Sequence, residues 1–246
     1  MTQLHSSLYA VLRRVAMFAV VMALAFTAHA AGLTQSADVP QSAHVPQRAD
    51  FGSAQLSADA RHTANWAVWS RDTHGMPFVI LDKKQATLHV FAPDGKLRGS
   101  TPVLLGSAIG DHSVPGIGER EIMAILPEER TTPSGRFVTS PGRNANGEDI
   151  IWVDYNAAVS MHRVRANVAS QRRLERLASP TPDDNRISFG CINVPTRFYN
   201  EMIHPVMGRT RAVAYVLPET RDVRAEFGSY DVPVAPAVTT AVQAAR

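Results

Sequence analysis

Cys191 is the sole cysteine of the 246-residue chain and stands in Arg186-Ile-Ser-Phe-Gly-Cys-Ile-Asn-Val-Pro195. In an exported protein an unpaired thiol is open to oxidation, so a structural role gives little reason to keep it, and the odd cysteine points to a nucleophile. The alternative is a small buried apolar residue, a common place for free cysteine. Gly190 lets the backbone approach a substrate carbonyl and supplies a peptide N–H able to face an oxyanion. Pro195-Thr196 opens a helix just after the thiol, and the positive end of a helix favours a thiolate. A cysteine nucleophile also needs a base within hydrogen-bond reach. Of the nine histidines, His5 and His29 fall in a leader-like segment and His44 in a spacer. His162 is the first choice, because it ends the strand-like run Asp154 to Met161, which places its ring at a sheet edge. His112, after Asp111 in a Gly-containing loop, is the second choice. His89 alternates within a strand and His204 lies on a helix, so both read as packing or surface residues. No cluster of His, Cys and carboxylates has metal-ligand spacing, so neither a metal nor a cofactor is expected.

The elements that must position these groups read mainly as strands. Pro77 to Asp82 and Ala86 to Ala92 are β-branched and aromatic runs, the second closed by Pro93-Asp94-Gly95, a turn signal. Arg98 to Ala108, Glu121 to Leu126, Arg136 to Ser140, Asp149 to His162 and Ala212 to Leu217 continue the pattern. Helical spacing is found in Ala166 to Ala178, stopped by Pro180 and Pro182, and in Thr196 to Met207, apolar at Phe198, Met202, Ile203 and Val206. The expectation is a mainly β fold with a helix directly after the cysteine loop.

Residues 1–30 have the three parts of a secretory signal: Arg13 and Arg14, the apolar stretch Val15 to Phe26, and Ala28-His29-Ala30 at a small-x-small cleavage site. The apolar stretch is short of the roughly twenty residues of a spanning helix, so cleavage before Ala31 is expected, leaving no stable membrane anchor. The full chain is formally +3, and the leader carries two arginines and no acid, so the remainder is near +1. No basic stripe with interleaved aromatics is left, which argues against nucleic acid as a partner. Residues 31–75 are poor in large apolar groups and contain the near-repeat Gln35 to Pro40 and Gln41 to Pro46, which reads as a flexible spacer. Residues 76–219 form one domain, and residues 220–246, rich in Ala, Val, Pro and Thr, read as a loose tail.

Ser188-Phe-Gly-Cys-Ile-Asn193 with the upstream His162 resembles the catalytic signature of the L,D-transpeptidases (the YkuD-type domain): a His, a variable stretch, then Ser/Thr-His-Gly-Cys, a hydrophobic residue, and Asn or Arg. Thr132-Pro-Ser-Gly-Arg-Phe137 looks like that family's Thr-Pro-x-Gly-x-Phe element, and Val79 to Val90 is similar to its first hairpin. The resemblance covers roughly residues 77 to 218. It implies a YkuD-type β-sandwich and a periplasmic enzyme acting on peptidoglycan stem peptides. Cys191 would be the nucleophile and His162 its base, oriented by the backbone carbonyl of Arg163. The N–H groups of Gly190 and Cys191 would hold the oxyanion, and Ser188, Phe189 and Asn193 would bind substrate, the alternative for Ser188 and Asn193 being to fix the loop by hydrogen bonds. The thiolate would expel the terminal D-alanine of a tetrapeptide stem, and an amine would resolve the thioester. With water as acceptor the same site would be an L,D-carboxypeptidase or endopeptidase. A non-catalytic wall-binding protein on the same scaffold is the third reading.

Three positions depart from the signature. Phe189 replaces the His before Gly-Cys, and Arg163 replaces a small residue after the catalytic His. Twenty-eight residues separate His162 from Cys191, more than is usual, and they include Arg165, Arg172, Arg173 and Arg176. That insert could be a helical lid whose guanidinium groups meet stem-peptide carboxylates, or a solvated helix face.

Overall fold

The computed structural model of the protein describes residues 47–233. The leader, the near-repeat and the last residues of the tail lie outside the described residues. Among the described residues there are ten strands: β1 (Phe78–Asp82), β2 (Thr87–Phe91), β3 (Leu97–Pro102), β4 (Leu105–Gly106), β5 (Gly135–Arg143), β6 (Asp149–Asp154), β7 (Val159–Arg163), β8 (Arg186–Ser188), β9 (Ile192–Val194) and β10 (Ala212–Val216). Eight of them form one mixed sheet in the order β3-β2-β1-β10-β5-β6-β7-β9, and β4 and β8 form a parallel pair.

The sheet acts as a sandwich because β5 serves both halves. Its first residues pair with β10, Thr139 opposite Ala212, and its last residues pair with β6, Ser140 opposite Trp152. The sheet thereby curls so that Val79, Leu88 and Ala214 from one half share a core with Ile151, Met161, Ile192 and Val194 from the other. Leu104 and Asn193 then exchange both backbone hydrogen bonds, at 3.0 and 2.9 Å, which links the β3 end of the sheet to β9 at the other. Every residue of β1 is buried, and its side chains alternate between two cores. The helical run over 196–207 closes the first core with Tyr199, Ile203 and Met207 and contains a π-type turn at Tyr199–Ile203. Each such fully buried side chain is worth on the order of 1.5–3 kcal/mol of hydrophobic stabilisation.

The second core corrects the expected domain boundaries. Ala58–Ser70, placed in the spacer by composition, is a helix capped by Ser57, whose Oγ accepts from the Ala60 N–H at 3.1 Å. Its Ala60, Ala64 and Ala67 are fully buried and, with Trp66, pack with Phe78, Ile80, Phe91 and Tyr215. Small side chains allow a helix to sit close on a sheet, so a segment poor in large apolar residues is nevertheless core. The presumed tail also contributes. Asp222 caps the helix Val223–Phe227, Val223 is buried, and the Phe227 ring stacks on Trp66 at 6.5 Å. The ordered domain therefore extends beyond residues 76–219 at both ends.

Three element expectations change as well. Glu121 to Leu126 is not a strand but a turn with the 3-10 segment Ile122–Ala124, and Ile122 and Met123 are exposed without a partner strand. Asp149 to His162 is the hairpin β6–β7, reversed through Tyr155–Ala158, with Ala158 at φ 53°. Between His162 and Cys191 only Arg173–Ala178 is α-helical, because Arg172 takes a left-handed φ of 50° and separates it from the 3-10 turn Ala169–Gln171.

Candidate active site

β7 and β9 run parallel and in register, with Met161 opposite Ile192 and His162 opposite Asn193. Alternation along these strands sends Met161, Ile192 and Val194 into the core and puts Ser160 and His162 on the opposite face. Cys191 immediately precedes β9 on that face, and its Sγ lies 3.7 Å from Ser160 Oγ and 3.6 Å from the Ala158 carbonyl oxygen. The half-buried His162 ring is thus one strand position beyond the serine that touches the thiol. Among the described residues Sγ is hydrogen-bonded to these two oxygens and not to the imidazole.

His162 Nδ1 donates to the Arg163 carbonyl at 2.8 Å. A carbonyl can only accept, so Nδ1 carries the proton and Nε2 of the neutral ring is left as the basic nitrogen. Burial, reinforced by the charges of Arg165 and Arg173 and opposed by the Arg163 hydrogen bond, lowers the His162 pKa below its ordinary value. The ring is therefore neutral and able to accept a proton at neutral pH. The Arg163 side chain points elsewhere: it pairs with Asp149 at 3.0 Å and lies over the Tyr199 ring at 4.4 Å.

The turn before the thiol is held from several sides. Ser188 Oγ accepts the Gly190 N–H at 3.0 Å and donates to the Cys191 carbonyl at 2.6 Å. Asn193 Nδ2 donates to the same carbonyl at 3.1 Å, while its Oδ1 accepts from Arg173 at 2.5 Å. Gly190 has φ 129°, and a Cβ there would come within 2.7 Å of the Thr131 carbonyl oxygen.

These contacts correct several expectations. The Gly190 N–H is occupied by Ser188 and is not available to an oxyanion, whereas the Cys191 N–H has no acceptor among the described residues. Ser188 and Asn193 are buried, 3% and 1% exposed, so they shape the loop and do not line a substrate site. Phe189 is half-buried, with the Arg130 guanidinium 4.1 Å from its ring centroid. His112 is exposed and is tied to the site through its carbonyl, which accepts from Thr131 Oγ1 at 2.6 Å. His89 is buried against Ser100, and His204 sits near Asp149 at the surface.

The insert arginines divide by partner. Arg165 pairs with Glu148, Arg172 with Glu175, and Arg176 donates to the carbonyls of Gln171 and Asp184. Arg173 has no carboxylate partner among the described residues and reaches the site through Asn193. Sequence reading missed Ser160, although its place two residues before His162 on a strand was a signal for the shared face. It also missed Arg130, for which the sequence offered none.

No family model matches the chain, and no curated protein does. Among solved structures it is similar to the Ldtfm–avibactam carbamoyl enzyme, with 18% identity and a TM-score of 0.35 over 58% of this chain and 49% of that one. The chain thus spans about half the length of that protein. It is also similar to the catalytic domain of an E. faecium L,D-transpeptidase determined by NMR, with 17% identity and a TM-score of 0.34 over 57% of this chain and 96% of that one.

Proposed function

We propose that the protein is a periplasmic cysteine L,D-transpeptidase of the YkuD type, exported by its leader and acting on peptidoglycan stem tetrapeptides. The observation that carries this reading is the single face of β7 and β9, which carries His162, held as the Nδ1–H tautomer, and Ser160, whose Oγ lies 3.7 Å from Cys191 Sγ. The signature-like run Ser188 to Asn193 supports it independently.

In this mechanism His162 Nε2 takes the thiol proton after the sulfur turns from Ala158 and Ser160 towards the ring. The thiolate attacks the carbonyl carbon of the third stem residue, and the carbonyl π pair moves onto oxygen opposite the Cys191 N–H. Collapse breaks the C–N bond, and the departing D-alanine amine takes the proton from His162. An acceptor amine then attacks the thioester and loses a proton to His162; the C–S bond breaks, and that proton passes from His162 to the departing sulfur, restoring the thiol and the neutral ring. A thioester keeps enough reactivity for aminolysis without a nucleotide co-substrate.

Mass spectrometry of a disaccharide-tetrapeptide incubated with residues 31–246, beside Cys191→Ala, tests the proposal. A Cys191-dependent dimer lacking one D-alanine is expected. Tripeptide without dimer would reassign the protein to hydrolysis, and unchanged substrate would count against a tetrapeptide donor.

A further inference from the structure

Thr132 lies in the loop before β5, fully buried, and none of its atoms belongs to the turn that carries the thiol. Its Oγ1 nevertheless donates to the Gly190 carbonyl at 2.8 Å and accepts the Gly106 N–H at 2.9 Å, so both hydroxyl functions are used. The Thr132 carbonyl is fixed in turn by Lys83 Nζ at 2.9 Å. That ammonium, fully buried, also donates to the Gly110 carbonyl at 2.6 Å and pairs with Asp111 at 2.8 Å, and Glu219 lies 3.5 Å away.

The consequence falls on the far end of one peptide group. A trans peptide is planar, and its C=O and N–H point in opposite directions. Fixing the Gly190 carbonyl on Thr132 therefore aims the Cys191 N–H the other way, and this is the amide left without an acceptor. The neighbouring Gly190 N–H is excluded because Ser188 holds it. We propose that Thr132 is a positioning residue for the oxyanion site, acting through the Gly190–Cys191 peptide, with Lys83 as the buried support of Thr132. The inference rests on the acyl-transfer reading of Cys191, but not on which acyl donor or acceptor the protein uses.

Two reactions of the same thiol separate this role from thiolate formation or access. With p-nitrophenyl acetate the thiolate forms a C–S bond, the carbonyl π pair moves to oxygen, and p-nitrophenolate leaves. Alkylation by iodoacetamide displaces iodide and builds no oxyanion. In the full chain, Thr132→Val is expected to slow acylation about ten- to a hundred-fold while alkylation stays within about twofold, and Thr132→Ser is expected to restore acylation. Equal losses in both reactions, or no loss in either, would overturn the proposal. So would a folded wild-type thiol that is acylated no faster than the same thiol in denaturant.

A second measurement needs no substitution, in case Thr132→Val fails to fold. When an aldehyde forms a hemithioacetal on wild-type Cys191, the Cys191 amide proton resonance should move downfield and that of Gly190 should stay in place. The opposite pattern would overturn the proposal. An enzyme that behaves as expected in these tests but leaves muropeptides unchanged would sink the transpeptidase reading and leave Thr132's role standing. Full transpeptidation by Thr132→Val would do the reverse.

Discussion

Asn193 and His162 face one another across the parallel pair β9–β7, yet they serve different ends. Asn193 turns inward to the Cys191 carbonyl and is covered by Arg173, while His162 keeps a half-buried ring hydrogen-bonded to the next residue's carbonyl. The pair sets the register that brings Ser160 level with the thiol. Replacing His162 with Gln should keep the fold and lower kcat/KM by roughly 10²–10⁴, the usual contribution of a positioned base. Cys191→Ala should abolish turnover. Steady-state kinetics beside circular dichroism would check both.

The lowered His162 pKa gives a pH prediction. Burial and the Arg165 and Arg173 charges disfavour imidazolium, so the acidic limb of kcat/KM should lie below the ordinary histidine value of about 6.5. Arg173→Gln removes one of the repelling charges, so imidazolium forms more readily and the limb should move to higher pH. A pH–rate profile in which Arg173→Gln shifts the limb downward would contradict this account.

Lys83 and Asp111 form an ion pair whose side chains are both fully buried. Burial by itself would raise the Asp111 pKa, but Lys83, Thr220 and the amides of Glu219 and Thr220 outweigh it and hold the carboxyl well below the usual range. A carboxyl depressed in the folded state stabilises above its unfolded value of about 3.9, and that stability is lost as pH falls through the lower folded value. Lys83→Met should cost about 3–5 kcal/mol at neutral pH, because it strands a buried carboxylate, and the loss should shrink as pH falls and that carboxyl, no longer held down by Lys83, takes up a proton. Denaturant melts at neutral pH and an acid titration would measure the two effects.

Gly190→Ala should damage both stability and turnover. The position has φ 129°, and the added methyl would meet the Thr131 carbonyl oxygen at 2.7 Å. Backbone strain of this kind costs on the order of 1–3 kcal/mol, and relief would move the turn that carries Cys191. A melting curve and a thiol alkylation rate unchanged from the wild type would contradict this prediction.

The domain boundary can be tested by truncation. A chain beginning at residue 76 loses the helix Ala58–Ser70 and uncovers Phe78, Ile80 and Phe91, so it should be insoluble or melt far below a chain beginning at residue 47. Expression and thermal melts of the two would decide it.

Much of the sandwich was legible in the sequence because strands such as β1 and β2 are short apolar runs bounded by turn residues. The helix after the cysteine was legible for a similar reason: its apolar positions recur at helical spacing after Pro195-Thr196. The helix Ala58–Ser70 was not. Its buried stripe is alanine, which scores as weakly apolar and acquires its packing value only when a sheet lies within reach. Glu121 to Leu126 misled in the opposite direction, being apolar by composition but without a strand to pair with.

The sequence by itself determined the reactive atoms on offer: one thiol, a small set of histidines, and a Gly-Cys turn followed by a helix start. Only the tertiary structure decided which neighbours these atoms have, because hydrogen-bond partners depend on strand register and on contacts between residues far apart in the chain. Thr132 meets Gly190 at a sequence separation of 58, and Lys83 reaches Thr132 at a separation of 49. Local propensity carries no information on such pairs. That is why Ser188 and Asn193 stood in sequence between substrate contact and loop brace, and only the fold shows them buried and bracing the thiol's own backbone.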